Sequence, residues 1–180
     1  MTIAPYLPVT VLVTGAPGSG TSTLGAALAH AKRWRHLETD AYQWLDSTPP
    51  FVRKTDVSER KRRLLADLRG GHAVVSGSLM DWGREVEDSF DLIVFLQLDT
   101  ALRIERIVSR DTRLYGSPDP GFIKWAETYD TGGRAGRSRQ AHEAWLMERT
   151  CPILRLEGPM PLDVQLVRID KALQSLQMRR

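Results

Sequence analysis

Short apolar runs alternate along this chain with stretches whose apolar residues recur at helical spacing. Val9 to Thr14 is a β-branched run ending at Gly15, the pattern of a strand buried on both faces. After a glycine-rich turn, Leu24, Ala27, Leu28 and Ala31 lie on one helical stripe, so a helix is expected from about Gly20. His36 to Asp40 predicts a short second strand ending in acids, and residues 42–55, rich in aromatics and proline, predict a loop. Asp56-Val57-Ser58-Glu59 has capping-box spacing and opens a helix that stops at Gly70-Gly71. The runs HAVVSGS and FDLIVFLQLD predict the third and fourth strands. Asp99 or Thr100 then caps a helix running through Leu102, Ile104, Ile107 and Val108 to about Arg113. A glycine- and proline-rich insertion covers about 114–136, broken by a short helix around Phe122 to Thr128. RQAHEAWLMER is helical again, CPILRLEG is the last strand, and PLDVQLVRIDKALQSLQM is a closing amphipathic helix. Helices alternating with about five buried strands predict an α/β fold, a three-layer parallel sheet covered on both faces.

Composition narrows this picture without changing it. A length of 180 residues fits one well-buried core, so one domain spanning 1–180 with an insertion is expected. No apolar run approaches the roughly 20 residues of a spanning helix, and MTIAPYLPV lacks the basic start of a secretory signal. Cys151 has no second cysteine with which to form a disulfide, so a cytoplasmic setting is expected. The formal charge of +3 is modest, but it is supplied by 20 Arg and only 5 Lys. Guanidinium groups grip phosphate and carboxylate in two-pronged fashion.

The candidate chemistry lies where the first strand meets the first helix. Gly15-Ala16-Pro17-Gly18-Ser19-Gly20-Thr21-Ser22 matches the phosphate-binding pattern G-x-x-x-x-G-K-[ST] except that Thr21 stands in place of the lysine. Such a turn aims several backbone N–H groups into one hollow, and the helix dipole adds about half a positive charge there, none of which needs a lysine. Ser22 still offers a hydroxyl to Mg²⁺. The missing charge is worth roughly 1 kcal/mol in water-like surroundings and about 4 at intermediate dielectric. Arginines are available to replace it. Arg106, Arg110 and Arg113 are spaced to share one helical face, and Arg134, Arg137 and Arg139 follow the insertion. Arg103, next but one to Glu105, reads as a solvated surface charge.

With these features the sequence resembles the small P-loop kinases of the adenylate, shikimate and gluconate kinase group. The likeness covers nearly the whole chain: phosphate loop, acidic end of the second strand in LETDAY, VVSGS in the third strand, DLIVFL before an Arg-rich helix, and a lid. The sequence is also similar to bacterial sequences called adenylate-kinase-like or AAA-family ATPases that carry G-S-G-T-[ST]-T. The resemblance implies ATP and Mg²⁺, with Gly15, Pro17, Gly18, Ser19, Gly20, Thr21, Ser22, Arg106 and Arg134 on the nucleotide. It further implies Ser22 and Glu38 on the metal, Asp40 as the substrate-side carboxylate or base, and Arg110 and Arg137 as catalytic arginines. As two acids at i, i+2 on a strand end, Glu38 and Asp40 are expected to point the same way. Gly77 and Ser78 fit as substrate-facing backbone, and Asp81 is a weaker metal candidate because the third strand lacks a terminal acid.

The acceptor is not readable from the sequence. Tyr42, Trp44 and Phe51, with Trp82 opposite, are candidates to wall a flat or apolar substrate, and Arg53 to meet an anionic group on it. The four histidines show no ligand spacing. The arginines are not interleaved with aromatics as base stacking on RNA requires. Two functions remain: a phosphotransferase acting on a small-molecule or nucleotide acceptor, or a nucleotide-binding switch with little or no turnover, which Thr21 favours.

Overall fold

The computed structural model describes residues 8–47, 51–132 and 137–178. Five strands, β1 (Thr10–Gly15), β2 (Arg35–Glu38), β3 (Ala73–Ser76), β4 (Leu92–Gln97) and β5 (Ile153–Glu157), pair in the order β2-β3-β1-β4-β5, every pair parallel. The helices between them are α1 (Thr21–Lys32), α2 (Thr39–Gln43), α3 (Val57–Leu68), α4 (Arg84–Glu87), α5 (Thr100–Tyr115), α6 (Pro120–Glu127) and α7 (Arg139–Met147), and α8 (Leu162–Gln177) follows β5. Among the described residues no helix is long and apolar enough to cross a membrane.

Alternation along the strands builds two cores. Leu12, Val75, Ile93 and Phe95 face one way and pack with Leu64 and Leu68 of α3 and Trp145 and Leu146 of α7. Val11, Val13, Val74 and Val94 face the other way and pack with Leu24 and Leu28 of α1 and Ile169 and Leu173 of α8. A strand buried on both faces has to be apolar throughout, which is why β1 and β4 stand out so clearly in the sequence.

Local chemistry fixes the helix ends. The Asp56 carboxylate accepts from the N–H groups of Ser58 at 2.8 Å and Glu59 at 3.3 Å, so α3 starts at its expected cap. α6 starts at Pro120, with Asp119 accepting from the Phe122 N–H at 2.9 Å. α5 runs to Tyr115 and ends on Gly116, whose φ is 82°.

Two differences from the sequence pattern matter. β2 stops at Glu38, and Asp40 lies in the first turn of α2. The chain turns there because Thr39 is buried against Gly77, where a Cβ would come within 2.0 Å of its hydroxyl. α4 has only four residues, too short for a periodic signal.

Gly25 sets how closely α1 approaches the sheet. A Cβ there would lie 1.8 Å from Ser76 Oγ and 2.9 Å from His36 Nε2. An Ala for Gly change inside a helix normally stabilises by up to about 1 kcal/mol, but overpacking at such contacts costs about 1–3. Gly25→Ala is therefore expected to lower the thermal midpoint by several degrees, measurable by calorimetry.

Candidate functional site

The C-terminal ends of β1, β2, β3 and β4 converge on one edge of the sheet, where open α/β folds place their ligands. Between β1 and α1 the chain turns through Gly18 and Gly20, with φ of 79° and 100°. Both values belong to the left-handed region that glycine enters without strain. Gly18 also lies directly on the backbone of α5, since a Cβ there would be 2.5 Å from the Arg103 carbonyl oxygen. A Cβ on Gly15 would be 2.6 Å from the Leu96 carbonyl. The loop is thus pressed against its surroundings at two points.

Inside the turn the Ser19 N–H donates to the Ala16 carbonyl at 3.1 Å, while the Ser19 hydroxyl is buried without a hydrogen-bond partner. No side chain caps the N-terminus of α1, whose N-cap is Gly20. Uncapped first-turn amides beside an unpartnered buried hydroxyl are the donors an anion would need. Thr21 is the first residue of α1 and is half-buried.

At the rim, the Ser22 hydroxyl donates to Glu38 Oε2 at 3.1 Å. Burial raises the Glu38 carboxyl above its ordinary value; the Ser22 hydrogen bond opposes that, and the Asp40 charge adds to it. His36 Nε2 stands 3.4 Å from Glu38 Oε1 and 2.8 Å from Ser76 Oγ, and burial lowers its pKa. Asp40 is exposed, two residues beyond Glu38, and its charge is one of the causes that raise the Glu38 pKa.

The arginines divide. Arg137 lies just before α7, its guanidinium 5.2 Å from the Trp125 ring of α6. Burial lowers its pKa, and the Asp40 charge is the largest influence opposing that. Among the described residues Arg137 has no carboxylate within ion-pair distance. Arg106 reaches over the loop, with Nη1 3.6 Å from where a Gly20 Cβ would stand. It edges a hollow shared with Ser19, Gln97, Gly158, Pro159 and Gln165. Arg110 instead donates from Nε to the buried Asp111 at 2.7 Å and is half exposed. Arg134 lies outside the described residues. A second hollow, between Val9, Trp34 and Leu173, is at the opposite edge of the sheet and has no part in this site.

The acceptor-side aromatics separate into core and surface. Trp82 is 1% exposed and sits in the core, with the Arg60 guanidinium over its ring at 4.7 Å. Tyr42 is also buried and donates to Asp67 at 2.6 Å. Trp44 and Phe51 form an edge-on pair at 6.1 Å in the loop before α3, with Arg53 exposed beside them. Asp81 is exposed, at a φ of 66°.

Two residues carry more of the site than the sequence suggested. Arg103 is fully buried rather than solvated, and donates to the Pro17 carbonyl of the loop at 3.2 Å. His142, also fully buried, bridges Thr14 Oγ1 at 3.1 Å and the Tyr129 hydroxyl at 3.0 Å. The available signal was their register. Arg103 shares a buried stripe with Ile107 and Asp111, and His142 shares one with Trp145 and Leu146. A polar group on such a stripe must find partners inside.

Burial, with Arg137 adding to it, pushes the His142 pKa down to about 3 from 6.5. The unfolded chain therefore binds a proton below about pH 6.5 that the folded protein refuses, and stability falls as pH drops from there toward 3. Denaturant melts should show an excess loss approaching about 1.4 kcal/mol per pH unit between pH 6 and 4 that His142→Asn lacks.

No protein-family model matches the sequence. The chain is 36% identical over 175 residues to uncharacterized protein YqaC of Bacillus subtilis, covering 91% of this chain and 95% of that one. Among solved structures it superposes on a shikimate kinase from Acinetobacter baumannii in complex with shikimate, with a TM-score of 0.59 and 16% identity, covering 94% of each chain. A gluconokinase from Sinorhizobium meliloti gives a TM-score of 0.58 at 17% identity, covering 96% of this chain and 98% of that one. At such identities the likeness establishes a shared fold, a five-stranded parallel sheet with helices on both faces.

Proposed function

The chain belongs to the family of uncharacterized protein YqaC of Bacillus subtilis, and from the geometry of its loop we propose that it is an ATP-dependent phosphotransferase acting on a small-molecule or nucleotide acceptor. The observation that carries this reading is the meeting of Ser22 and Glu38 at the mouth of the uncapped helix α1. It supplies an anion hollow and a hard-oxygen pair side by side.

Ser22 and Glu38 are the residues that would hold Mg²⁺. The pair fits this ion, which takes one or two protein oxygens and leaves its other positions to phosphate and water. When bound, Mg²⁺ neutralises charge on the phosphate oxygens. The amides of Gly20 to Ser22 hold the anionic tail, and the hollow edged by Arg106 and Pro159 receives the base. Asp40 orients the acceptor hydroxyl and accepts its proton as the new O–P bond forms and the bond from the γ-phosphorus to the bridging oxygen breaks, releasing ADP. Arg137 supplies positive charge from the far side, in the place a loop lysine would otherwise serve. The insertion at about 114–136, of which the structure describes the part up to 132, acts as a lid, and catalysis comes from positioning and charge neutralisation. The second reading, a nucleotide-binding switch without transfer, is favoured by Thr21.

A transfer assay separates the two. The protein is incubated with γ-labelled ATP, Mg²⁺ and a panel of nucleosides, nucleoside monophosphates, sugars and hydroxy acids. Labelled acceptor is the expected result; saturable binding without labelled acceptor supports the switch.

A further inference from the structure

Arg103 has five N–H groups, and each has a partner. Nε donates to the Leu98 carbonyl at 3.1 Å, at the turn from β4 into α5. Nη1 donates to the Pro17 carbonyl at 3.2 Å and to the Ala126 carbonyl, near the end of α6, at 3.3 Å. Nη2 donates to Thr100 Oγ1 at 2.9 Å and Asp130 Oδ2 at 2.7 Å. Its carbon lies 5.2 Å from the Tyr129 ring centre. One side chain therefore holds the phosphate loop and the residues from Ala126 to Asp130 at once. His142 makes a second tie between the same bodies, from Thr14, just before the loop, to Tyr129.

Trp125 immediately precedes Ala126 and carries Arg137 on its ring. Whatever fixes Ala126 relative to Pro17 also fixes where the Arg137 charge stands relative to the hollow. We propose that Arg103 is a positioning residue, assisted by His142, that joins the phosphate loop and the Ala126–Asp130 segment into one body and so transmits nucleotide binding to the segment carrying Arg137. The proposal rests on the kinase reading for its ligand but not for its mechanical content. Arg103 touches no reacting atom: its donors are all consumed below the loop.

The test uses Arg103→Lys, which keeps the charge but offers three donors from a single point and cannot reach all five acceptors. Hydrogen exchange is followed in peptides covering 15–22 and 122–132, with and without saturating Mg·ATP, alongside the thermal midpoint. In the wild type Mg·ATP is expected to slow exchange in both peptides. In Arg103→Lys, exchange without ligand rises about fivefold or more in both peptides, and Mg·ATP protects 15–22 alone. A purely structural role would loosen the fold while leaving both peptides protected together, and that result overturns the proposal. Asp130→Asn, which spares the contacts to Pro17 and Leu98, is the second variant should the lysine protein not fold; undiminished transmission to 122–132 in it overturns the proposal equally. If the wild type takes up no Mg·ATP, the kinase reading falls. The clamp is then judged on ligand-free exchange, where unchanged rates in either peptide of Arg103→Lys refute it.

Discussion

Gly18→Ala is expected to weaken Mg·ATP binding about a hundredfold while leaving the protein folded. A left-handed backbone costs a non-glycine residue roughly 1–2 kcal/mol. The new Cβ would also lie 2.5 Å from the Arg103 carbonyl and 3.0 Å from Ile107 Cγ1. Because the first obstacle is backbone, no rotamer change relieves it. The loop has to lift off α5, and its amides leave the arc that faces the anion. Gly20→Ala provides the comparison. Its nearest neighbour is the flexible tip of Arg106 at 3.6 Å, so it carries the backbone strain alone, which corresponds to about a tenfold loss. Isothermal titration calorimetry of both variants beside the wild type, with thermal midpoints as a folding control, measures the difference.

Asp40→Asn is expected to leave Mg·ATP affinity within about threefold of the wild type and to cut transfer to the acceptor by about 10²–10⁴, the range typical of a lost general base. Asp40 is exposed in α2 and, among the described residues, its side chain makes no hydrogen bond or ion pair with the phosphate loop, so its removal should spare nucleotide binding. Its charge helps raise the Glu38 pKa and opposes the lowering of the Arg137 pKa by burial. The asparagine keeps shape and hydrogen bonding but cannot take a proton. Steady-state rates with the acceptor found by the transfer panel, compared with calorimetric affinity for Mg·ATP, separate the two effects. Equal losses in both would assign Asp40 to the loop rather than to the acceptor.

The elements most legible in the sequence were those with the strongest physical constraint. β1 and β4 had to be apolar on both faces, and the glycine turn had to keep Gly18 and Gly20 free of side chains. Ser22 and Glu38 were paired by resemblance, and the structure puts them 3.1 Å apart. Asp40 was expected on the strand, but the burial of Thr39 against Gly77 starts a helix there, a tertiary effect with no local signature. Trp82 and Tyr42 were ambiguous because an aromatic near a cleft and one in a core look alike in sequence; packing puts both in the core. Spacing places Arg110 on one helical face with Arg106, yet adjacent Asp111 engages it. Arg103 and His142 were passed over because composition treats charged and titratable residues as surface, and only the buried stripes they share with Ile107 and Trp145 mark them otherwise.

The central claim is that main-chain amides at the mouth of α1, with Ser22 and Glu38 beside them, hold a nucleotide without a loop lysine. Calorimetric titration of the wild-type protein with Mg·ATP tests it most directly. A saturable heat with a dissociation constant at or below about 1 mM is predicted. Absence of any binding heat at millimolar Mg·ATP would contradict it.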